Sequence, residues 1–521
     1  MPMGLEAGRD MALSILSQYA DFYTQFDGQS DAESWMLTGH AFNQALTEAL
    51  WAVPLIHAYD LIADTLTDAQ RKQLADELWG PLTAVMSRAQ DKLIAQNRIE
   101  SNYMAWLNVT LGCLGFTLND HSLITRAIQP PAGFVAHLDK AILADGLEFE
   151  GTPYYHNFVL LAYLILAEAA KANNIDLYAI SGASGQTLAR MGGAFAQLAW
   201  PDGSIPDISD GSYWQDSIYD PEICQSFEIL HAVERSVVPP ENGFAWTLRA
   251  AYERQGVARD NWAALLYGRD DVETAVAPAP YHTLLEESGI AVLRSHKNHK
   301  LAVTVPFAPY RRYHHQHDRL SLIIWPFSRD AGVPLYGLPE RKKWYLHSYA
   351  HNTLVVDEQS HAPSGAQLLG WDGQRLSLAA PDAYPGTDFT RTIEMKDGTI
   401  FDELVVQSSE THTFDWLLHL DGDVVLPPDL ALGSLSGPLT TDGAGAYIEL
   451  CGQKLIQDSV SLQIDYHSEL YDLTLRGQQP FTLLIGTAPG TSRHPQQRRH
   501  VLIARTVGQV QRYWAEIRPL R

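Results

Sequence analysis

Cysteine is scarce in this chain, and positive charge is in short supply. The three cysteines, Cys113, Cys224 and Cys451, are odd in number and far apart. They form no CxxC pair, which excludes a disulfide framework and a cysteine-rich metal site. A reducing, cytoplasmic compartment is therefore the expectation, with a periplasmic or secreted one open should a leader precede the sequence. No apolar run reaches the roughly 18 to 20 residues that a bilayer span needs, and the opening residues show no basic segment leading into an apolar one. Against 61 acidic residues stand only 37 lysines and arginines, a formal charge of −24. Such a balance opposes attraction to nucleic acid and to anionic lipid. Fixed-period repeats and low-complexity tracts are also missing. What is present is an ordinary globular composition over 521 residues, enough for two domains that each bury a core.

The hydrophobic pattern changes once along the chain. Up to about residue 270 apolar residues return every three or four positions, as in Ala41–Ala63, Asp68–Ala89, Asn102–Leu118, Phe158–Ala172 and Ser184–Ala199, which predicts amphipathic or fully buried helices. Several are apolar round most of their circumference, so they pack on two sides, as in a ring of helix pairs. Beyond about residue 285 the pattern becomes short β-branched and aromatic runs separated by turn residues, among them Gly289–Leu293, Leu301–Val305, Leu320–Trp325, Phe481–Ile485 and Val501–Ala504. Strands without intervening helices read as antiparallel sheets in a sandwich or similar stack. The expected fold is α+β and multidomain, with a helical domain over 1–275 and an antiparallel β domain over 285–521. The segment Ala277–Tyr281 is the linker.

Two clusters carry chemistry. One is Arg312-Tyr-His-His-Gln-His-Asp318, followed by Ser348-Tyr-Ala-His-Asn-Thr353; bases, phenols and a cation gathered together suit proton abstraction. The other lies upstream, Glu100-Ser-Asn-Tyr103 and the stretch from Asp145-Gly to Glu150-Gly-Thr-Pro-Tyr-Tyr-His156. Its glycines allow a tight loop into a helix. Each has a bland counterpart: an Asn at a helix start is more often a cap, a tyrosine more often packs with its hydroxyl satisfied, and the basic residues between Arg294 and Lys343 also suit solvated strand edges. A His-x-His pattern with remote carboxylate and imidazole suits zinc, with His317, Asp330 and His351 as the tentative ligand set; His315 is the alternative to His317.

Taken in order, Asn102, Asp145-Gly, Glu150-Gly through Tyr155-His156, Pro201-Asp-Gly-Ser-Ile-Pro206, Asp318-Arg-Leu-Ser321, Asp330-x-Gly332, His351-Asn-Thr353 and Phe414-Asp-Trp416 with His419 resemble the heparinase II/III-type polysaccharide lyases. Polysaccharide lyase family 15, the oligoalginate and exolytic heparin lyases, is the nearest pattern. The resemblance implies an N-terminal (α/α) toroid followed by an antiparallel β-sheet sandwich domain. It also implies exolytic β-elimination on an anionic, uronate-containing oligosaccharide, with neither nucleic acid nor membrane as partner. Asn102 would stabilise charge on the uronate carboxylate, Tyr155 would be the acid and open to serving also as base, and His314 would be the partner from the β domain. Tyr103, Tyr154, His156, Arg312, Tyr345 and Tyr349 are the substrate-binding candidates. No cofactor is required; a structural zinc is the alternative held open.

Two departures from the family pattern stand out. Tyr103 occupies the place where relatives put a His after the Asn, and Gln316 the place of a metal-binding His. Competing functions are a glycoside hydrolase using a pair among Asp145, Glu150, Asp207 and Asp210, and a glycan-binding protein without catalysis.

Overall fold

The computed structural model describes residues 3–26, 37–210, 217–233, 243–256, 258–276, 281–296, 299–310 and 316–520. The expected class is found: helices first, then antiparallel sheets. The chain forms two compact units, one of Met1–Phe149 with Asn157–Gly192, the other of Glu150–His156 with Gly193–Arg521. Among the described residues no helix is long and apolar enough to cross a membrane.

In the first unit the helix Asn102–Leu118 is the most enclosed, with Met104 through Gly115 all buried. A helix apolar all round must be covered all round, and here the helices Ala45–Ile62, Gly80–Ala95 and His121–Ile128 lie against it. Gly115 is needed for the last of these contacts, since a Cβ there would stand 2.8 Å from the Ile124 nitrogen. Asp120 opens the neighbouring helix by accepting from the Ser122 and Leu123 amides. Glu48, fully buried, accepts from the backbone amides of Ala41 and Phe42 and from the Tyr23 hydroxyl, so its charge is met by donors on several sides.

The second unit contains a four-stranded sheet over residues 283–325 and a 12-stranded sheet over residues 354–519. Alternation sends successive side chains to opposite faces. In Arg498–Pro519, Leu502 and Ala504 join the core between the two sheets, whereas Val501 and Ile503 join a second cluster with Trp344, Tyr345, Tyr349 and Leu484. The sheet is thus apolar on both faces there, which explains unbroken runs such as Val501–Ala504. Two strands of 22 residues, Thr399–Leu420 and Arg498–Pro519, pair along most of their length, and their register slips once, between Gly508 and Val510. Cys113 and Cys224 are buried free thiols, and Cys451 is exposed.

One ion pair ties loops to this sheet. The Arg391 guanidinium, without solvent exposure, donates twice to Asp402 on the adjacent strand, and its Nη1 donates to the carbonyls of Leu320 and Asn352, all at 2.7 Å. Removing one member of a satisfied buried pair strands the other charge. Asp402→Asn or Arg391→Met is therefore expected to lower unfolding free energy by about 3 to 5 kcal/mol in a denaturant titration. A loss below about 1 kcal/mol, the scale of exposed pairs, would show that the pair is not holding the loops.

Candidate active site

In the first unit, the cap of the Asn102 helix is Ser101, whose hydroxyl accepts from the Tyr103 amide at 3.4 Å. Asn102 is the first helical residue and is 5 % exposed, so its amide is not used as the cap. The turn leading to it is held by His137, whose Nε2 lies 3.0 Å from the Ser101 carbonyl and 3.2 Å from that of Glu100. Nδ1 of the same ring is in contact with the Tyr163 hydroxyl. Carbonyls only accept, so Nε2 carries the proton and Nδ1 receives the phenol's. Burial, against the raising influence of the two carbonyls, pushes His137 down to about 4. The Tyr103 hydroxyl donates to Gln44 Oε1 at 2.7 Å.

The second unit holds the Glu150–His156 loop. Gly151 takes a φ of +71°, which a side chain resists, and Thr152 then caps the helix Pro153–Ala172 by accepting from the Tyr155 amide at 3.1 Å. Proline at the first helical position forfeits no hydrogen bond. Cap and proline together fix Tyr154 and Tyr155 in the first turn. Their rings meet edge to face at 5.1 Å, both half-buried. Glu150 and Gly151 line a small cavity with Ser209, Asp318 and Arg319. The Tyr155 and Tyr336 hydroxyls are hydrogen-bond partners. Tyr336 in turn donates to Asp210 Oδ2 at 2.5 Å, and Arg341 Nη2 reaches both Asp210 oxygens at 2.7 Å. The guanidinium also sits 4.0 Å from the centre of the Tyr336 ring. Burial and then the Asp210 charge hold the Tyr336 phenol well above its ordinary value, against Arg341 and Tyr155.

His314 and Arg312 lie outside the described residues. Three of the substrate-binding candidates are buried. Tyr349 has no exposure and donates to Asp415 at 2.9 Å; Tyr345 is 2 % exposed, with its hydroxyl on the Gly490 carbonyl; both belong to the cluster with Trp344. His156 is also without exposure and stacks on Phe195 at 5.8 Å. In this structure the three rings pack inside the unit.

The tentative ligand set is not assembled either. Among the described residues no group of three His, Cys, Asp or Glu side chains is placed to hold a metal. His351 gives Nδ1 to Asp330 at 2.9 Å and Nε2 to the Tyr345 carbonyl at 3.0 Å. Both nitrogens are committed as donors, the pattern of an imidazolium. Burial opposes that charge, but Asp330 outweighs it and raises His351 above its ordinary value. Gln316, at the departure noted above, donates to the Ser209 carbonyl at 2.9 Å. Among the described residues, His317, Asp330 and His351 are thus not arranged as a zinc centre.

Of the four carboxylates considered for hydrolysis, Asp207 is ion-paired with Arg493 and Asp210 with Arg341. Each is committed to a guanidinium instead of standing ready for proton transfer.

Residues 277–463 match the family described as heparinase II/III-like, C-terminal, and residues 32–203 match the alginate lyase family. The later region is thus similar to the heparinase II/III type and the earlier one to the alginate lyases. An alginate lyase of Stenotrophomonas maltophilia is 24 % identical over 469 residues, 80 % of this chain and 60 % of that one. An exo-oligoalginate lyase of Saccharophagus degradans is 24 % identical over 463 residues, with the same coverage of 80 % and 60 %. The chain thus spans about 60 % of the length of these relatives. A crystal structure of heparinase III superposes with a TM-score of 0.67 at 12 % identity, covering 97 % of this chain and 73 % of that one, a likeness of fold. Within this site, sequence reasoning missed Tyr336 and gave Asp210 only a hydrolytic role. It also grouped Arg341 with surface lysines, although Arg341 is buried and Lys342 and Lys343 are exposed. A lone arginine opening a wide helical turn, Arg341–Tyr345, was the available signal.

Buried neutral histidines set a pH dependence. His137 and His347 are pushed down to about 4 and His361 to about 3, each chiefly by burial. In the unfolded chain they titrate near 6.5. Below that value the unfolded state takes up protons the folded state refuses, so stability falls as pH drops from about 6.5 toward 4. His351, raised in the folded state, works oppositely: its contribution is full below about 6.5 and is lost as pH rises through the raised value. Among the described residues the lowered rings outnumber the one raised ring, which predicts a thermal midpoint that declines on acidification below about pH 6.5; a flat midpoint down to about pH 4.5 would contradict the neutral assignments. Dialysis against a chelator is expected to leave the midpoint unchanged. A fall reversed by zinc would restore His317, Asp330 and His351 to a ligand role.

Proposed function

We propose that the protein is a polysaccharide lyase that cleaves a 4-linked uronic-acid glycan by β-elimination from the chain end. Oligomers of alginate are the first substrate class to test. The observation that carries this reading is the presence in one chain of both matched regions, the first containing Asn102 and Tyr155 and the second His314. The names of the two relatives covering 80 % of the chain favour alginate and an exolytic mode.

Elimination needs three groups. A donor must stabilise charge growing on the uronate carboxylate as C5 loses its proton, a base must take that proton, and an acid must protonate the O4 leaving group. Asn102 is assigned the first task, His314 the second and Tyr155 the third. The electron pair from C5–H forms the C4=C5 double bond, and the C4–O4 pair leaves with O4 and receives the Tyr155 proton. Hydrolysis would need a pair of available carboxylates, and the commitment of Asp207 and Asp210 to arginines narrows that pair to Asp145 and Glu150.

Incubation with alginate, heparinoid, chondroitin, hyaluronan and glucuronan oligomers is expected to produce the ultraviolet absorbance of an unsaturated uronate. Saturated ends from every cleaved substrate would favour the hydrolase, and binding without cleavage the glycan-binding protein. Tyr155→Phe is expected to lower kcat at least about a hundredfold with the fold intact; near-parental turnover would move the acid role elsewhere.

A further inference from the structure

The lyase reading leaves unused a network in the second unit that ends on the Tyr155 phenol. Its anchor is Asp210, 5 % exposed, with Arg341 Nη2 at 2.7 Å from both of its oxygens. Arg341 is itself fixed by donating Nη1 to the Pro334 carbonyl at 2.8 Å and by lying over the Tyr336 ring. With both partners held, Asp210 presents a stationary negative charge to the Tyr336 hydroxyl, which donates to it at 2.5 Å. A hydroxyl carries one proton. Having given it to Asp210, Tyr336 can only accept in its contact with the Tyr155 hydroxyl. The relay from Tyr155 through Tyr336 to Asp210 therefore runs one way. A fixed acceptor favours the protonated phenol, and the carboxylate beyond it acts in the same sense.

We infer that Tyr336, oriented by Asp210 and Arg341, is a positioning residue that keeps the Tyr155 phenol protonated and fixed in direction, so that Tyr155 enters the elimination as the acid and not as the base. This rests on the lyase reading. When the substrate arrives, the Tyr155 hydroxyl swings from the Tyr336 oxygen to O4. As the C4–O4 bond breaks, the proton passes to O4 and leaves Tyr155 as a phenolate. A separate base then holds the proton from C5, and exchange with water returns both groups to their starting states. Tyr336 is not consumed and transfers no proton to the sugar. Its exposure of 52 % also allows its ring to meet a bound saccharide, so the test must separate positioning from binding.

Tyr336→Phe keeps the ring and removes the acceptor. The expected result is a kcat lowered about tenfold or more, below the full contribution of an acid–base group, with KM changed by less than about threefold, the pattern of an interaction made in the transition state. The basic limb of the kcat profile should move to lower pH. Asp210→Asn should move that limb the same way, and Asp210→Glu should restore part of it. Should Asp210→Asn fail to fold, Tyr336→Phe alone carries the test. Unchanged kcat and an unchanged basic limb in a folded Tyr336→Phe protein would overturn the inference, and a rise in KM alone would make Tyr336 a binding residue and overturn it too. A readout without substrate separates this from the lyase reading. Difference tyrosinate titrations of the parent against Tyr155→Phe, and of Tyr336→Phe against the double variant, should place Tyr155 at higher pH when Tyr336 is present. Equal values would sink the positioning role even in an active lyase. The higher value in a protein that cleaves no uronate would keep the network while removing the reaction assigned to it.

Discussion

The buried pair between Arg391 and Asp402 is the constraint on which the loops of the β unit depend. A guanidinium with no exposure cannot be left short of acceptors, and the sheet supplies only two of its four. Leu320 and Asn352 supply the others, so the segments around them must pass over the sheet at that point. Much follows from the passage. Asn352 donates to the Leu322 carbonyl at 2.6 Å and accepts from the His419 amide at 2.7 Å. Thr353 donates to the Arg319 carbonyl at 2.5 Å, and His361 Nδ1 accepts from the Arg319 amide at 3.0 Å. The Asp318-Arg-Leu-Ser321 and His351-Asn-Thr353 motifs are thus two sides of one hydrogen-bonded crossing. Their side chains serve mainly to build the place where a site can be held.

Charge is arranged on the same principle throughout the unit. Asp207, Asp210 and Asp415 each face an arginine, and Arg319 is spent on Asp318 and on the carbonyls of Ala308 and Gln316. Buried histidines are kept neutral where their partners are carbonyls and amides, as at His361, and charged where the partner is a carboxylate, as at His351. An anionic glycan of the class proposed above would otherwise meet repulsion from a chain of net charge −24. Binding most of these carboxylates to internal cations removes their field locally while leaving the surface acidic.

The helical half was readable because its signal is local. Asn102–Leu118 is found with the bounds that periodicity suggested. The strand runs fared unevenly: Phe481–Ile485 and Val501–Ala504 lie within the longer strands Phe481–Pro489 and Arg498–Pro519, whereas Leu320–Trp325 shortens to Ile323–Trp325; the long strands extend past their apolar runs because alternate positions there are polar and turned outward. Phenols were the weakest guide. Tyr154 and Tyr155 are half-buried beside the cavity-lining loop, whereas Tyr345 and Tyr349 vanish into the core, and nothing in their immediate neighbours distinguishes the two pairs. Tyr336 and Asp210 meet across 126 positions of chain, a separation at which pattern carries no information. Arg341 beside Lys342 and Lys343 looked like a surface run; only the wide turn decides which of the three points inward.

The two paired 22-residue strands also say where this protein can change length. Because side chains alternate faces, adding or losing one residue inside either strand would exchange the inner and outer sets beyond that point and send Val501 and Leu502, or Trp416 and Leu417, to the wrong clusters. The slip at Gly508 and Val510 already absorbs such a mismatch. Descendants of this fold can therefore lengthen or shorten these strands at that joint and at their turns, while the stretches between behave as a fixed ruler against which the rest of the sheet is set.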